Sequence, residues 1–209
     1  MKKTRIILVD DHQIVLKGMV SIVKETLGQK CAVDTASTAA AVLENLRESS
    51  YDLCIFDIGL PDADGLELLR YLRAEYPKMK VIVHTVHEQA WYMRAFLDAD
   101  VEGVLFKSSD IYEISRALTT VLEGGRFYSH AARVLKNAMD CHPRPTEREM
   151  DVLRMLAAGA TTEEISATLG ISPNTTETHR RHLLEKFNAR NVADLILKAV
   201  SEGLPLKEV

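Results

Sequence analysis

The stretch Leu53-Cys54-Ile55-Phe56-Asp57-Ile58-Gly59-Leu60-Pro61 places a carboxylate directly after a short apolar run. An apolar run of this length, followed by Gly and Pro, is typical of a strand that is buried on both faces. Asp57 therefore lies at the carboxyl end of a predicted strand, where a rigid support holds its side chain at the edge of a sheet. Asp10-Asp11, Thr85 and Lys107 follow or end other apolar runs in the same way.

Five such runs alternate with amphipathic segments up to about residue 123. The segments between them are roughly 11–15 residues long and carry apolar residues at helical spacing. Near-continuous apolar strands separated by helices favour a parallel sheet that is covered on both faces. We therefore predict a (βα)5 flavodoxin-like α/β fold with a doubly wound parallel sheet. The predicted strands are Arg5–Val9, Cys31–Thr35, Leu53–Phe56, Val81–His84 and Gly103–Phe106.

The alternation of strands and helices stops at Gly124-Gly125. From Arg126 to about Met139 we expect one short helix, which Pro143 and Pro145 prevent from continuing, and no further strand. Four helical segments follow, and Thr146 with Glu149 predicts a capping box at the first. The predicted domains are 1–124, a linker at 125–143, and an all-α helix-turn-helix domain at 144–209. Its four helices are predicted at Glu147–Ala158, Thr162–Leu169, Asn174–Phe187 and Val192–Glu202.

Composition sets limits on the class of protein. The 209 residues are 46% hydrophobic and 27% charged, as in ordinary globular domains. Because the formal net charge is -4, a nucleic-acid surface has to be a local basic patch. The three cysteines show no C-x-x-C spacing, which favours a reducing compartment. No apolar stretch approaches the roughly 20 residues that span a bilayer. We expect a cytoplasmic protein that does not contact a membrane.

The acidic residues at the predicted strand ends have the chemistry of a Mg²⁺ site, because this ion prefers oxygen ligands. The predicted ligands are Asp10, Asp11, Asp57 and the backbone carbonyl of Gly59 or Ile58. Asp57 would attack phosphorus while the metal offsets the charge on the transferred group. The cluster therefore predicts a site that accepts a phosphoryl group on Asp57.

Thr85 and Lys107 complete this predicted site as donors to the acyl phosphate. Each residue of the cluster also has a purely structural interpretation. Asp10 or Asp11 can cap the next helix, Thr85 can be an ordinary strand residue, and Lys107 a solvated lysine. Their coincidence at the ends of the first, third, fourth and fifth predicted strands favours the functional interpretation.

Asp10-Asp11-His12, the run Asp57 to Pro61 with Gly65, Thr85 and Lys107 resemble the signature of two-component receiver domains. The resemblance covers residues 5 to about 123. It implies phosphoryl transfer from a sensor histidine kinase to Asp57, with Mg²⁺ held by Asp11, Asp57 and the backbone of Ile58-Gly59.

Two positions depart from the receiver pattern. Val104 stands three residues before Lys107, where receivers usually carry the aromatic residue that rotates as a switch, and Phe106 is displaced by two. We therefore expect weaker coupling between Thr85 and this switch position. Val86 follows Thr85 where a small residue is common, and we expect it to narrow the approach to Asp57.

Ala167-Thr168-Leu169-Gly170-Ile171-Ser172 predicts a helix that ends in Gly, followed by an apolar turn residue and a Ser cap. Pro173 falls in the first turn of the next helix. This order is typical of a helix-turn-helix motif. Between Asn174 and Arg190 four basic residues stand against two acids. On charge alone, the solvated face of a small helical domain is an equally good interpretation.

The chain from about 144 to 203 resembles the LuxR-type helix-turn-helix domain, and the whole chain resembles the NarL/FixJ family of response regulators. The matching positions are Thr146-Glu147-Arg148-Glu149, Val152-Leu153, Gly159, Glu164-Ile165, Leu169, Ile171-Ser172, Thr175, Thr178-His179, Lys186 and Arg190. The resemblance implies one set of residues facing base edges and another lying near phosphates. The first set is Glu177, Thr178 and Arg181; the second is Thr175, Arg180 and Lys186, with Arg190 extending the positive charge.

Three residues of this domain depart from the LuxR-type pattern. Thr162 stands where Asn is usual, Thr176 where a buried Val is usual, and Glu177 where Lys is common. We therefore expect the target sequence and the affinity for DNA to differ from the family norm.

We expect a non-enzymatic transcription regulator whose DNA binding depends on phosphorylation of Asp57. The expected partners are a sensor histidine kinase, double-stranded promoter DNA, a second copy of the phosphorylated chain, and RNA polymerase. An alternative, suggested by Val104 at the switch position, is a DNA-binding regulator that works without phosphorylation. A second alternative is an aspartyl-phosphate phosphohydrolase. The haloacid-dehalogenase type, however, needs a second Asp two residues after the nucleophile, and this sequence has Gly59 there.

Overall fold

A computed structural model of the chain describes residues 3–140, 145–204 and 206. They form two compact units: Gln89–Tyr92 and the residues from Lys136 onward belong to the second, and the remaining residues up to Leu135 belong to the first. Among these residues, no helix is both long enough and apolar enough to span a membrane. Cys31 and Cys54 are free thiols, and burial raises the pKa of the Cys54 thiol to about 12.

The first unit alternates strands and helices, as the sequence predicts, and the α/β fold is confirmed. Its strands are β1 (Thr4–Val9), β2 (Cys31–Ala36), β3 (Leu53–Phe56), β4 (Lys80–Thr85), β5 (Gly103–Phe106) and β6 (Phe127–Tyr128). Its helices are α1 (Gln13–Leu27), α2 (Ala39–Glu48), α3 (Gly65–Glu75) and α5 (Ile111–Leu122), together with most of α4 (Ala90–Asp98) and the first part of α6 (His130–Asp140).

All six strands are parallel and lie in the order β2-β1-β3-β4-β5-β6. The direction in which the sheet grows reverses between β1 and β3, so a crevice opens outside their carboxyl ends. Val9 is in register with Phe56, and Phe56 with Val83. The residues that follow β1 and β3 therefore meet at the same edge of the sheet.

The core explains why the strands are apolar without alternation. Every residue of β3 and β5 is buried, because helices cover both faces of the sheet. On one face, α1 and α5 pack over the central strands through a cluster of fully buried side chains. Its members include Leu8, Ile55, Ile82, Leu105, Val23 and Leu118.

The sixth strand corrects the sequence-based prediction that no strand follows Gly124-Gly125. Phe127 and Tyr128 pair with Gly103 and Val104 of β5, and the helix begins only at His130. A strand of two residues is too short to show the alternation of apolar and polar residues that marks a strand. Its pairing partner also lies more than 20 residues away, so no local pattern in the sequence reveals it. The domain limits at 124 and 143 stay predictions, and residues 141–144 of the predicted linker lie outside the described residues.

The described residues from Pro145 onward form four helices, as predicted: α7 (Glu147–Ala157), α8 (Thr162–Leu169), α9 (Pro173–Lys186) and α10 (Val192–Ser201). Thr146 and Glu149 form the predicted capping box, and Thr161 and Glu164 form a second one at α8. Between α8 and α9, Gly170 adopts a φ of 64°, a conformation that costs Gly little. Ser172 then caps α9. A buried apolar cluster holds the helices together: Val152, Leu153, Ile165, Leu183, Phe187, Leu195 and Ala199.

Candidate functional site

Asp57 lies at the carboxyl end of β3, directly beside β1. Its backbone amide donates to the carbonyl of Val9 at 2.9 Å, and its Oδ1 accepts from the amide of Gly59 at 3.2 Å. Asp57 and Asp10 are each 3% exposed. The reversal of strand order thus brings two nearly buried carboxylates to one crevice, as the sequence predicts.

Lys107 joins these two carboxylates from the end of β5. Its Nζ lies 2.6 Å from Oδ2 of Asp57 and 2.8 Å from Oδ2 of Asp10. Burial lowers the pKa of Lys107, but its contacts with Asp10 and Asp57 more than offset this and raise the pKa above its usual value. Lys107 therefore stays an ammonium ion between two buried carboxylates.

Asp10, Asp11 and His12 form a group whose metal-ligating atoms lie within 4.8 Å of one another. Oδ2 of Asp10 and Oδ1 of Asp11 are buried and accept no hydrogen bond from the described residues, although Lys107 and His12 lie at ion-pair distance. Carboxylate oxygens are the ligands that Mg²⁺ prefers, so the residues of this group fit the ion. His12, with Nδ1 at 2.6 Å from Oδ1 of Asp11, is a member that the sequence did not single out as a ligand.

The loop after Asp57 is fixed by two residues. A Cβ on Gly65 would lie 2.1 Å from the carbonyl oxygen of Ile58, so only glycine allows α3 to begin this close to the loop. Asp62 accepts hydrogen bonds from the amides of Ala39 and Ala40 at the start of α2, and these bonds lower its pKa. The sequence did not indicate the role of Asp62, because its partners are more than 20 residues away.

Thr85 is fully buried at the end of β4. Its carbonyl accepts from the amide of Lys107 at 2.8 Å, and its Oγ1 accepts from the amide of His87 at 3.2 Å. None of the described hydrogen bonds joins Thr85 to Asp57. Its action as a donor to a phosphoryl group stays a prediction.

His84 is a buried neighbour of the acidic cluster that the sequence did not assign to it. Burial lowers the pKa of His84, and the charge of Lys107 lowers it further, while Asp10 and Asp57 act in the opposite direction. An uncharged imidazole therefore borders the cluster. Its signal in the sequence is a polar residue within an otherwise apolar strand.

The switch position is filled by Val104, which is fully buried in β5. Val104 is in register with Val83 on one side and with Tyr128 of β6 on the other. Val86, in contrast, is 63% exposed. Its expected effect on the approach to Asp57 stays a prediction.

The seven residues predicted to contact DNA differ in their exposure and in their contacts. Thr175, Glu177, Arg181 and Arg190 are exposed, whereas Thr178, Arg180 and Lys186 are partly buried. Within α9, the Thr175 hydroxyl lies 2.8 Å from that of the cap residue Ser172, and the Thr178 hydroxyl donates to the Asn174 carbonyl at 2.9 Å.

Lys186 has an internal partner that the sequence did not reveal. Its Nζ lies 2.5 Å from Oε2 of Glu149, which is buried at the start of α7. Burial raises the pKa of Glu149, but the hydrogen bonds from Lys186 and Thr146 outweigh it, and the net pKa is lowered. Lys186 therefore links the end of α9 to the capping box of α7. A contact between Lys186 and a DNA phosphate stays a prediction.

The three departures from the LuxR-type pattern lie at the packing interface of α8 and α9. Thr162 donates to Oε1 of Glu177 at 2.7 Å, and Arg180 lies 3.2 Å from the same oxygen. The Thr176 hydroxyl is buried and lies 2.8 Å from the hydroxyl of Ser166. The sequence placed these residues on adjacent helices, but it did not show that they contact one another.

Two protein families match the chain. The family described as "Response regulator receiver domain" matches residues 6–119, and that described as "Bacterial regulatory proteins, luxR family" matches residues 146–199. The transcriptional regulatory protein MctR of Rhizobium johnstonii is 30% identical, over 98% of this chain and 97% of its own. The transcriptional regulatory protein UhpA of Salmonella typhimurium is 35% identical, over 90% of this chain and 93% of its own.

Solved structures of the response regulator RcsB share the fold. One from Salmonella typhimurium superposes with a TM-score of 0.78 at 25% identity, over 95% of this chain and 100% of the other. A second, from Salmonella enterica serovar Typhimurium, is bound to a promoter in the presence of the phosphomimetic BeF3⁻. It superposes with a TM-score of 0.68 at 25% identity, over 95% of this chain and 99% of the other.

Proposed function

The chain belongs to the response regulators, with a receiver domain followed by a LuxR-type DNA-binding domain, and we propose that phosphorylation of Asp57 controls its binding to promoter DNA. The phosphoryl donor is the phosphohistidine of a sensor histidine kinase. The bound protein regulates transcription, as its relatives MctR and UhpA do by their descriptions.

The observation that carries this proposal is the position of Lys107 between Asp10 and Asp57, at 2.8 and 2.6 Å. A nearly buried carboxylate with an ammonium ion beside it can accept a phosphoryl group, because the ammonium ion then binds the added negative charge. The cluster lies where the strand order reverses, which is the usual ligand position in such sheets.

In the transfer step, an Asp57 oxygen attacks phosphorus. The oxygen–phosphorus bond forms while the phosphorus–nitrogen bond of the phosphohistidine breaks, and the imidazole leaves with the electron pair. Asp10, Asp11, Asp57 and the Gly59 carbonyl would hold Mg²⁺, which offsets the charge on the transferred group when it is bound. Lys107 exchanges its carboxylate contact for a phosphoryl oxygen, and the Thr85 hydroxyl donates to another.

The DNA-binding form contains two copies of the chain. Between Asn174 and Arg190 each copy has four basic residues against two acids, and Lys186 is already held by Glu149. One recognition helix with so little free positive charge makes few phosphate contacts, and affinity at physiological salt depends on their number. A dimer on two half-sites doubles that number.

Labelling with acetyl phosphate and Mg²⁺, followed by mass spectrometry, tests the site. The wild type should gain one phosphoryl group on Asp57, Asp57→Ala none, and Asp11→Ala very little. Asp52→Asn is the matched control, because Asp52 lies just before β3, at the opposite end of the strand from Asp57. It should be labelled like the wild type. Undiminished labelling of Asp57→Ala contradicts the assignment.

Binding to genomic DNA fragments, with and without the phosphodonor, tests the control of DNA binding. We expect phosphorylated wild type to bind more tightly than unmodified protein, and sedimentation to show two chains per site. Equal binding by wild type and Asp57→Ala under both conditions would instead identify a regulator that works without phosphorylation. Continuous release of phosphate from small phosphate esters would identify a phosphohydrolase.

A further inference from the structure

Glu177 places an acidic side chain on the helix that the proposed function puts in the major groove. Its side chain is 52% exposed. An acid at this position repels DNA phosphates, so its effect on non-specific binding is unfavourable. The ion pair with Arg180 does not explain its presence, since exposed pairs of this kind contribute little to stability.

The carboxylate of Glu177 is held in place by the neighbouring helix. Thr162, the first residue of α8, donates to Oε1 at 2.7 Å, and Arg180 approaches the same oxygen at 3.2 Å. Within the described part of the chain, the hydrogen bonds and the ion pair of Glu177 all reach Oε1. Oε2 therefore remains as an acceptor for a group outside the protein.

A second contact fixes the rotation of α9 against α8. Ser166 lies one turn after Thr162, and its hydroxyl contacts both the Thr162 carbonyl at 2.7 Å and the Thr176 hydroxyl at 2.8 Å. Ser166 and Thr176 are both buried, so this contact is shielded from water. Thr162 and Ser166 thus form one row on α8 that holds Thr176 and Glu177 of α9.

We propose that Glu177 reads the exocyclic amino group of a cytosine in the major groove, and that Thr162 is the positioning residue that aims it. An ionised carboxylate only accepts hydrogen bonds. In the major groove, guanine and thymine present acceptors, and adenine presents a donor next to the acceptor N7. Cytosine is the one base whose major-groove edge presents a donor, N4, and no acceptor. The proposal rests on the DNA-binding function proposed above.

The test selects sequences from a random double-stranded DNA library with the full-length protein in the presence of acetyl phosphate and Mg²⁺. The wild type should enrich cytosine at one position by about tenfold over the other bases. Glu177→Gln should shift the preference at that position toward adenine, because an amide pairs with adenine N6 and N7. This variant keeps the size of the side chain, so a change of preference does not reflect misfolding.

Thr162 and a matched acid provide the controls. Thr162→Val replaces the hydroxyl with a methyl group and should lower the discrimination for cytosine several-fold without changing the preferred base. Thr162→Ser keeps the hydroxyl and should keep the discrimination. Glu163→Gln removes the same charge from an exposed residue of α8. It should keep the cytosine preference.

Three outcomes overturn the proposal in distinguishable ways. If the wild type enriches no sequence, the proposed DNA-binding function fails and this inference fails with it. If the wild type enriches a sequence that Glu177→Gln selects unchanged, DNA binding stands and the role of Glu177 is wrong. If the position sensitive to Glu177 is adenine in the wild type, the residue reads a different base from the one proposed.

Discussion

The ammonium group of Lys186 lies 2.5 Å from the carboxylate of Glu149, and the two residues are 37 positions apart in the sequence. Glu149 also accepts from the backbone amide of Thr146 at 2.7 Å, so one buried carboxylate closes the capping box of α7 and anchors the end of α9. A residue that the family resemblance assigns to the DNA surface therefore has a structural partner inside the second unit.

Lys186→Ala should lower the stability of the second unit by about 1–3 kcal/mol, because it removes a partner from a buried carboxylate. The measurement is urea unfolding followed by circular dichroism. Arg181→Ala is the matched control, since it removes an exposed basic side chain from the same helix. A loss for Lys186→Ala no larger than that for the control would show that the buried contact contributes little.

The same carboxylate predicts a dependence of stability on pH. The pKa of Glu149 is lower in the folded protein than its usual value. A lowered pKa contributes stability that is complete above the ordinary glutamate pKa of about 4.3, and is lost as the pH falls through the folded value. The wild type should therefore lose more stability below about pH 4.3 than Glu149→Gln does. Parallel thermal melts of the two proteins between pH 3 and pH 7, at about one-unit steps, measure the difference.

Arg181→Ala should weaken binding to the specific DNA site by about 1–3 kcal/mol and relax the preference at one base pair. Arg181 is exposed on α9, and arginine most often reads guanine. Arg190→Ala, which removes the same charge beyond the end of α9, should weaken binding to specific and random DNA alike. Fluorescence anisotropy with both DNAs separates the two effects, and equal losses for Arg181→Ala would contradict base reading.

Val104 predicts measurable DNA binding before phosphorylation. A valine cannot swing into space vacated by Thr85, so it adds no contact that favours the active state, and phosphorylation shifts the equilibrium less. Affinities for the selected DNA with and without phosphodonor test this. If only the phosphorylated form binds DNA, the coupling between phosphorylation and DNA binding depends on Thr85 and Lys107 and does not need an aromatic residue at the switch position.

Val104→Tyr probes the same switch position. Val104 is fully buried and is in register with Tyr128 of β6. The tyrosine ring should therefore overpack the core around β5 and lower the free energy of unfolding by about 1–3 kcal/mol. Restored dependence on phosphate in a variant of unchanged stability would mean that space for the ring already exists.

Gly65→Ala should distort the loop after Asp57 and reduce its labelling strongly. The added Cβ would lie 2.1 Å from the Ile58 carbonyl oxygen, and both are backbone-constrained, so the loop has to move. Gly18→Ala is the matched control, because nothing lies within 4 Å of its Cβ. It should leave labelling unchanged and stabilise α1 by up to about 1 kcal/mol. Wild-type labelling of Gly65→Ala would show that the loop tolerates the shift.

The strands, the helix-turn-helix motif and the acidic cluster were predictable because their signals are local. Apolar runs that end in Asp57 or Lys107 show where buried strands stop, and parallel strands bring those ends to one edge. Gly170, Ser172 and Pro173 each have a conformational preference that marks the turn before α9. In these elements, short-range pattern and global fold agree.

Only the tertiary structure decided how residues distant in sequence pair. Strand β6 is too short to carry a period, and it exists because β5 offers an unpaired edge. Lys186 binds Glu149 across 37 positions, and Thr162 binds Glu177 across 15. Exposed charge on a helix and charge paired across a helix interface look the same in sequence. Which of the two a residue carries depends on the angle and rotation at which helices pack, and these are set by the whole buried core.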